Sequence, residues 1–277
     1  MKKFFTLIIL SICIGANAQT VIYGTAFAGG IGSWTTVRNS GNPNEIWKYH
    51  TGAITSYYSG STTFASATAS NGFMLFMSDS TVSQANGGDN GTPEDADLLS
   101  PVINCSTQNF VFLEFDEFFA QANASSGSVY VSNDGATWNQ VYGVSNTTAN
   151  AEHVVVDITQ YAANQATVYL KFNYQGNWDY YWALDDIKLV APVGLDISVD
   201  TITMSKYVSL GSQTVTGTVT NRGGTTINSF DLNYTDNGGA PVTQHFSGLT
   251  IAPLASYDFT FTQPIVMNTA IQHTIVV

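Results

Sequence analysis

Carboxylates are the residues of this 277-residue chain best suited to chemistry, and many of them lie in one polar stretch. Ser78 to Asp97, SDSTVSQANGGDNGTPEDAD, combines five acidic side chains with asparagine, serine and glycine. Ca²⁺ takes roughly six to eight oxygens from carboxylates, side-chain amides and the backbone carbonyls of irregular loops. The stretch lacks EF-hand spacing, but its composition predicts a structural Ca²⁺ site. The alternative is a solvated acidic loop that binds nothing.

A second pair of carboxylates, Asp185 and Asp186, interrupts an apolar strand pattern from Trp182 to Val190. If Ile187 and Leu189 face the core, strict alternation places Asp185 on the same side and Asp186 on the other. A carboxylate at the entrance of a buried face must be neutralised, hydrogen-bonded or bound to a cation.

A third acidic group, Glu114, Asp116 and Glu117, lies in the stretch FVFLEFDEFF. Paired carboxylates can hydrolyse glycosidic bonds. In this stretch, however, apolar residues alternate with Glu114 and Asp116, which predicts a half-buried strand with an acidic outer face. The motifs GxSxG, HExxH and the glycine-rich nucleotide-binding loops are absent from the sequence. We therefore predict that the protein is not an enzyme.

Histidine and cysteine are too few and too scattered to predict a zinc site. Cys105 is the only cysteine after residue 18, and no ligand spacing relates the four histidines, His50, His153, His245 and His273. A lone cysteine excludes an intramolecular disulfide, so stability must come from the core or from bound metal.

The segment NWDYYW, Asn177 to Trp182, is the best candidate for contact with a ligand. Aromatic faces stack on sugar rings and apolar peptide side chains, while carboxylates hydrogen-bond hydroxyl groups. The candidate ligand-binding residues are Trp178, Asp179, Tyr180 and Tyr181. The alternative is that Trp178 and Trp182 cap the end of the sandwich core. If strand alternation begins in this segment, at least one of Tyr180 and Tyr181 should be exposed.

The first 18 residues have the pattern of a signal peptide. Lys2 and Lys3 precede an apolar run, and Ala16 to Ala18 forms a small-residue cleavage site. The mature chain is expected to begin at Gln19 and to be secreted or held at the outer cell surface. No other stretch has the ~20 apolar residues of a membrane-spanning helix, so membrane insertion is not expected.

Composition predicts an all-β protein that does not bind nucleic acid. Charged residues make up 10% and aromatic residues 13%, and threonine, serine, valine, asparagine and glycine are abundant. The formal net charge is −12 and becomes more negative when the signal is removed. Phosphate binding needs clustered lysine and arginine, which this chain lacks. Oligomeric state cannot be inferred from this pattern.

The segment Ala191-Pro192-Val193-Gly194 contains proline and glycine, which are typical of a linker, and predicts a domain boundary. One domain is expected at 19–191 and a second at 192–277. The second domain has short alternating strands separated by turns such as Asn221-Arg222-Gly223-Gly224, which predicts a small sandwich with a spacer role. His273 to Val277 has the pattern of a strand in progress. We therefore expect this domain to be incomplete and the chain to continue.

Four motifs in order carry a resemblance to a known family: DADLLSPVI from Asp95, FVFLEFDEFF from Phe110, VYVSNDGATW from Val129 and the final LDDI strand. Together they resemble the choice-of-anchor J or cleaved-adhesin domain, a MAM-like jelly roll of secreted Bacteroidetes proteins. The segment VTGTVTNRGGTTINSFDLNYT resembles the immunoglobulin-like or CARDB-like modules that follow such domains.

The resemblance implies a jelly-roll β-sandwich followed by a smaller immunoglobulin-like sandwich. In jelly-roll relatives, calcium sites often join an N-terminal loop to the last strand, so the implied ligands are Asp95, Asp97 and Asp185. The implied function is an exported, non-enzymatic adhesin that recognises extracellular carbohydrate or protein, with type IX secretion as a family expectation. The alternative is an N-terminal accessory region of a larger secreted peptidase or glycosidase.

Overall fold

The computed structural model describes residues 8–9, 19–41, 43–79, 93–177 and 179–277. The predicted all-β fold is confirmed, since the described helical segments are only the four-residue helix Thr159–Ala162 and the 3-10 turn Ala69–Asn71. None of the helices in these ranges has the length and apolarity needed to cross a membrane. The chain forms two compact units, one of them Gln19–Ala191 and the other containing Pro192–Val277.

The strands account for most of the described chain. In order they are β1 (Ile8–Ile9), β2 (Thr20–Thr25), β3 (Thr35–Ser40), β4 (Lys48–His50), β5 (Ile54–Ser56), β6 (Gly60–Thr62), β7 (Phe73–Met77), β8 (Glu94–Leu99), β9 (Phe112–Ala120), β10 (Ser126–Ser132), β11 (Asn139–Val144), β12 (Glu152–Asp157), β13 (Tyr169–Gly176), β14 (Tyr181–Ala191), β15 (Ile197–Ile202), β16 (Gly211–Gln213), β17 (Thr216–Asn221), β18 (Ile227–Asp236), β19 (Val242–Ile251), β20 (Ser256–Thr260), β21 (Ile265–Met267) and β22 (Thr274–Val276).

Two antiparallel sheets build the first unit. The five-stranded sheet has the order β11-β10-β13-β8-β3, and the six-stranded sheet has the order β12-β9-β14-β7-β4, with β2 also paired to β14. Alternate residues of both sheets, such as Leu170 and Phe172 on β13 and Phe115 on β9, form one buried apolar cluster. The first and last strands of the unit are neighbours, because Thr20 pairs with Ala191.

Strand β14 departs from the predicted alternation. Trp182 and Leu184 lie in the main core, and so do Ile187 and Leu189, although strict alternation cannot place both pairs on one face. A bulge resolves the conflict: the register with β9 shifts between Asp185 and Lys188, and Asp186 has a left-handed φ of 50°. The prediction that Asp185 shares the face of Ile187 and Leu189 is therefore wrong.

The outer face of the six-stranded sheet is covered by the β5–β6 hairpin and by the segment that leads into β7. Ile54 and Phe64 from this cover pack on Phe73, Tyr181 and Ala183 of the sheet to form a second buried cluster. The first unit therefore has a third apolar layer on one side, whereas the outer face of the five-stranded sheet carries mainly polar side chains.

A carboxylate is buried in the main core. Glu117 follows Phe115 at an inward position of β9 and has no exposed surface. Its oxygens accept hydrogen bonds from the Tyr142 hydroxyl at 2.5 Å and from the Trp182 indole at 2.9 Å. Burial raises the pKa of Glu117 to about 7, and the two donors only partly oppose that shift. Gly127 provides the space for the Trp182 ring, since a Cβ atom there would lie 2.7 Å from it.

The second unit has its own apolar core, to which β17, β18, β19, β20 and β22 all contribute. Its sheets have the orders β15-β17-β20, β1-β22-β18-β19 and β16-β21, and β1, within the predicted signal peptide, runs parallel to β22. The fully buried Asn221 at the end of β17 donates to the carbonyls of Thr225 and Ile251 and accepts from the Gly223 amide, each at 2.9 Å. These bonds explain the Asn-x-Gly turn, while the immunoglobulin-like assignment stays a prediction.

We expect Glu117→Gln to reduce the pH dependence of the stability of the first unit. The folded pKa of Glu117 lies above its unfolded value, so its contribution is complete below about pH 4.5 and is lost as the pH rises through about 7. Each pKa unit corresponds to about 1.4 kcal/mol, so the wild type should lose up to about 3 kcal/mol over that range.

All five tryptophans lie in the first unit, so urea unfolding followed by tryptophan fluorescence between pH 5 and pH 8 measures its free energy of unfolding. Glu114→Gln, on the outer face of the same strand, is the control and should keep the wild-type slope. Equal slopes for wild type and Glu117→Gln would contradict this account.

Candidate functional site

The outer face of the five-stranded sheet is the part of the first unit that best combines polar side chains with aromatic rings. On β13, Leu170, Phe172 and Tyr174 point into the core, so the alternating residues Lys171 and Asn173 point outward. The name polar face is used below for a set of these outward residues and the neighbouring Trp138: Asn39, Asp95, Asp97, Ser126, Ser128, Tyr130, Trp138, Lys171, Asn173 and Gln175.

Two carboxylates and two amides form a closed network at the centre of the polar face. The Asn39 amide donates to Asp95 at 2.8 Å and to Asp97 at 3.0 Å. The Asn173 amide donates to the same two carboxylates, at 2.7 Å each. Gln175 adds a bond of 3.2 Å to Asp95. Asp97 and Asn173 are buried at the floor of this network, while Asn39 and Gln175 are exposed at its rim.

Aromatic rings flank a lysine at one end of the polar face. The Lys171 ammonium lies 4.6 Å from the centroid of the Tyr130 ring and 4.7 Å from that of Trp138. Both distances are within the range of a cation–π interaction. Tyr130 and Trp138 are only half-buried, so parts of both rings remain open to solvent.

An open pocket of about 470 Å³ lies at the other end of the polar face. Its walls come from the ends of β3 and β13, from the starts of β8 and β10 and from the segment before β10. They are Ser40, Pro93, Glu94, Asp95, Asn123, Ala124, Ser126, Gln175, Gly176 and Asn177.

Asp179 fixes one wall of this pocket. Its carboxylate accepts hydrogen bonds from the backbone amides of Ala122, Asn123 at 3.1 Å and Ser125 at 3.2 Å, from the Ser125 hydroxyl and from the Tyr180 amide at 2.8 Å. The side chain is 1% exposed. Asp179 therefore positions the segment that carries Asn123 and Ala124, and its own oxygens are directed at that segment.

The other predicted ligand-binding residues lie in different environments. Tyr181 is 4% exposed and belongs to the cluster beneath the β5–β6 hairpin, while Tyr180 is half-buried beside it. Trp178 lies outside the described residues. Trp182 is fully buried in the main core, so the end of the segment contributes to packing. The prediction that at least one of the two tyrosines is exposed is wrong, since one is half-buried and the other is buried.

The three predicted calcium ligands do not meet. Asp95 and Asp97 share a network on the five-stranded sheet, whereas Asp185 lies on the six-stranded sheet and contacts Ser66 at 3.0 Å and Thr68 at 2.9 Å. In the described part of the chain, no group of three or more His, Cys, Asp and Glu residues is placed to hold a metal ion. The predicted set of Asp95, Asp97 and Asp185 is therefore not a single site.

Asp185 has an incomplete hydrogen-bond shell. Its side chain has no exposed surface, its Oδ2 accepts from the two hydroxyls, and its Oδ1 is buried without a hydrogen-bond partner. Burial raises the pKa of Asp185 to about 6. The neighbouring Asp186 carboxylate lies 3.1 Å from the Ser66 hydroxyl, so two carboxylates approach one serine.

The acidic residues considered for glycosidase chemistry lie on opposite faces of β9, since Glu117 is buried in the core whereas Glu114 and Asp116 are half-buried on the outer face. Asp116 and Asp185 are cross-strand partners on β9 and β14. Asp185 is fully buried beneath the Ser66 and Thr68 hydroxyls, and Asp116 Oδ1 lies 2.7 Å from His153 Nδ1. A pocket beside Ser66 includes neither carboxylate in its walls, which come from Gly52, Ala53, Thr63, Phe64, Ser66, Ala67, Ala69 and Ser70.

Sequence reasoning missed Asn39, Tyr130, Trp138 and the role of Asn173. The alternation in β13 already placed Lys171 and Asn173 opposite the core residues, and that signal could have indicated the outer face. Which strands lie beside β13 depends on long-range pairing, which a single sequence does not reveal.

We expect Asp179→Asn to release the segment from Ala122 to Ser125. An asparagine offers one acceptor oxygen, and its amide would direct donors at backbone N–H groups, which leaves buried donors unsatisfied at roughly 1–3 kcal/mol. Hydrogen exchange of these amides should accelerate, and the unit should melt earlier. Asp157→Asn is the control, because Asp157 is exposed and accepts the Thr159 amide alone. Unchanged exchange in Asp179→Asn would show that other contacts fix the segment.

Comparison with known proteins gives structural similarities only. No protein-family model matches the chain, and no curated protein does. The K1 cleaved adhesin domain of Lys-gingipain from Porphyromonas gingivalis W83 is 18% identical with a TM-score of 0.43, covering 60% of this chain and 96% of that domain. The K3 domain of the same protein is 20% identical with a TM-score of 0.43, covering 62% and 99%. TmCBM61 in complex with β-1,4-galactotriose is 12% identical with a TM-score of 0.39, covering 60% and 92%.

Proposed function

We propose that the first unit is an exported, non-catalytic binding module that holds an extracellular glycan on its polar face. The observation that carries the proposal is the continuity of this face. Half-buried rings of Tyr130 and Trp138 lie at one end, the carboxylate and amide network lies at the centre, and an open pocket with polar walls lies at the other end. Glycan sites combine these two features, because rings stack on the C–H faces of sugars while fixed polar groups bind hydroxyls.

The polar groups of this face are held in fixed positions, which supports a ligand-binding role for the face rather than a role in solubility alone. Each amide of the central network is fixed by two carboxylates, and the pocket wall is fixed by Asp179. Polar groups held in place before binding lose little conformational entropy when a ligand arrives. A surface that served only solubility would not need such fixation.

A glycan fits the polar face better than a protein does. The central part of a protein interface is apolar and contains large buried anchors. Among the described residues with large, exposed apolar side chains, Val37 is the one that lies on a strand of this sheet. If the chain is part of a larger secreted peptidase or glycosidase, the same face would bring that enzyme to its glycan.

We also propose a structural Ca²⁺ at Asp185. The buried Oδ1 without a partner needs a proton or a cation, and hydroxyls and a second carboxylate lie beside it. Such oxygens are the ligands that Ca²⁺ prefers. The ion would join the Ser66 to Thr68 segment to the bulge of β14 and would have no catalytic role.

Glycan binding is tested with Trp138→Ala. Full-length protein is run in native gels that contain neutral polysaccharides of several backbones, and retardation gives the affinity. Loss of the indole face should weaken binding by tenfold or more, which corresponds to about 1.4 kcal/mol. Tyr57→Ala removes an exposed ring from the β5–β6 turn and is the control. Absence of binding to every polysaccharide, or equal binding by Trp138→Ala, would refute the proposal.

Calcium binding is tested by thermal unfolding, followed by tryptophan fluorescence, in chelator and after addition of millimolar Ca²⁺. An ion at a hundred times its dissociation constant adds about 2.7 kcal/mol and raises Tm by several degrees. We expect Asp185→Asn to abolish this rise and Asp95→Asn/Asp97→Asn to keep it. The reverse pattern would move the site to the polar face, and no rise in the wild type would exclude bound Ca²⁺.

A further inference from the structure

The chemistry of the central network determines which hydrogen bonds the polar face can offer. A carboxylate only accepts hydrogen bonds, so an amide between two carboxylates must turn its NH₂ group toward them. Asn39 donates one proton to each of Asp95 and Asp97, and Asn173 does the same. Both NH₂ groups are therefore fully used, and what each amide retains is its carbonyl oxygen.

Neighbouring groups extend this pattern toward the pocket. Gln175 directs its NH₂ group to Asp95, and Ser40 donates its hydroxyl proton to the Pro93 carbonyl at 2.6 Å. Asp95 and Asp97 have lone pairs that these bonds do not use. The centre of the polar face therefore offers mainly acceptors, because the NH₂ groups of its two asparagines already bind carboxylates.

The negative charge of the first unit also disfavours anionic ligands on the polar face. Strand β8 alone contributes Glu94, Asp95 and Asp97, and the first unit has 15 acidic residues against four lysines and arginines. Lys171 is held over aromatic rings at the far end of the polar face, and Arg38 donates to the Gly41 carbonyl at the end of β3. The buried carboxylate of Asp97 is less screened than an exposed one, so it repels an anion more strongly.

We propose that the polar face selects neutral, hydroxyl-rich glycans and rejects glycans that carry carboxylate or sulfate groups. This inference rests on the proposed glycan binding and specifies its ligand class. Each sugar hydroxyl can donate to the exposed acceptors, whereas a uronate or sulfate group brings further acceptors and negative charge to a network whose NH₂ donors already bind Asp95 and Asp97. Asp95 and Asp97 act as specificity residues: they accept from the ligand directly and they orient Asn39 and Asn173.

The test compares polysaccharides that differ in charge and share a backbone. The probes are hydroxyethyl cellulose against carboxymethyl cellulose, laminarin against sulfated laminarin, and carboxyl-reduced polygalacturonate against polygalacturonate itself. Affinities of the full-length protein are measured by isothermal titration calorimetry at low and high ionic strength. We expect at least one neutral probe to bind and its charged counterpart to bind tenfold more weakly or not at all at low salt.

Ionic strength and a double variant distinguish electrostatic repulsion from the role of the Asp95 and Asp97 acceptors. The screening length falls from roughly 30 Å at 0.01 M to roughly 3 Å at 1 M, so repulsion should weaken and the charged probe should gain affinity with salt. In Asp95→Asn/Asp97→Asn the neutral probe should bind at least tenfold more weakly and the preference should shrink. Glu114→Gln, which removes a charge from the other sheet, should change neither value.

The outcomes distinguish this inference from the proposed function. If no probe of either charge binds, glycan binding itself fails. If a charged probe binds as well as its neutral counterpart or better, glycan binding holds and the selectivity is refuted. If Asp95→Asn/Asp97→Asn still prefers the neutral probes, the specificity role of these two residues is refuted. If that variant does not fold, the salt dependence of the wild type decides whether charge repulsion causes the selectivity.

Discussion

Neutral hydrogen-bond donors, rather than lysine and arginine, hold most of the described carboxylates of the first unit in place. With 15 acidic residues and only four lysines and arginines, this unit cannot pair its charges. Hydroxyls, side-chain amides, an indole and backbone N–H groups take that role instead. Asp79 shows the arrangement in its simplest form: it is 2% exposed and accepts from the Ser56 hydroxyl at 2.5 Å and the Tyr58 amide at 3.2 Å, which fixes the β5–β6 turn.

This constraint connects the core to the polar face. Glu117 holds Trp182 and Tyr142 inside the sandwich, Asp179 holds the pocket wall, and Asp95 and Asp97 hold the amides outside. Burial raises the pKa of Glu117 while its two donors oppose that shift, and each of these carboxylates sets the direction of the donors around it. The stability and the recognition chemistry of the unit therefore depend on the same kind of contact.

Much of the fold could be predicted from residue patterns because alternation is local. The inward set Leu170, Phe172 and Tyr174 follows directly from the β13 sequence, and the all-β class follows from composition. The face on which Asp185 lies could not be predicted, because one left-handed residue, Asp186, reverses the alternation. The sequence LDDI contains no signal, such as a glycine, that would indicate this bulge. The polar face was missed for a different reason: Asn39 and Asn173 are 134 positions apart and meet only through the pairing of β3, β8 and β13.

The pairing of Thr20 with Ala191 places the two ends of the first unit side by side. A folded body whose ends are adjacent can be inserted into a surface loop of another protein, or repeated along a chain, without stretching its host. The polar face is built from internal strands, so such transplantation would leave it intact. The unit thus has the geometry of a module that can be repeated within one polypeptide. Several copies could bind a repetitive polymer at many points, and their combined avidity would exceed the affinity of a single polar face.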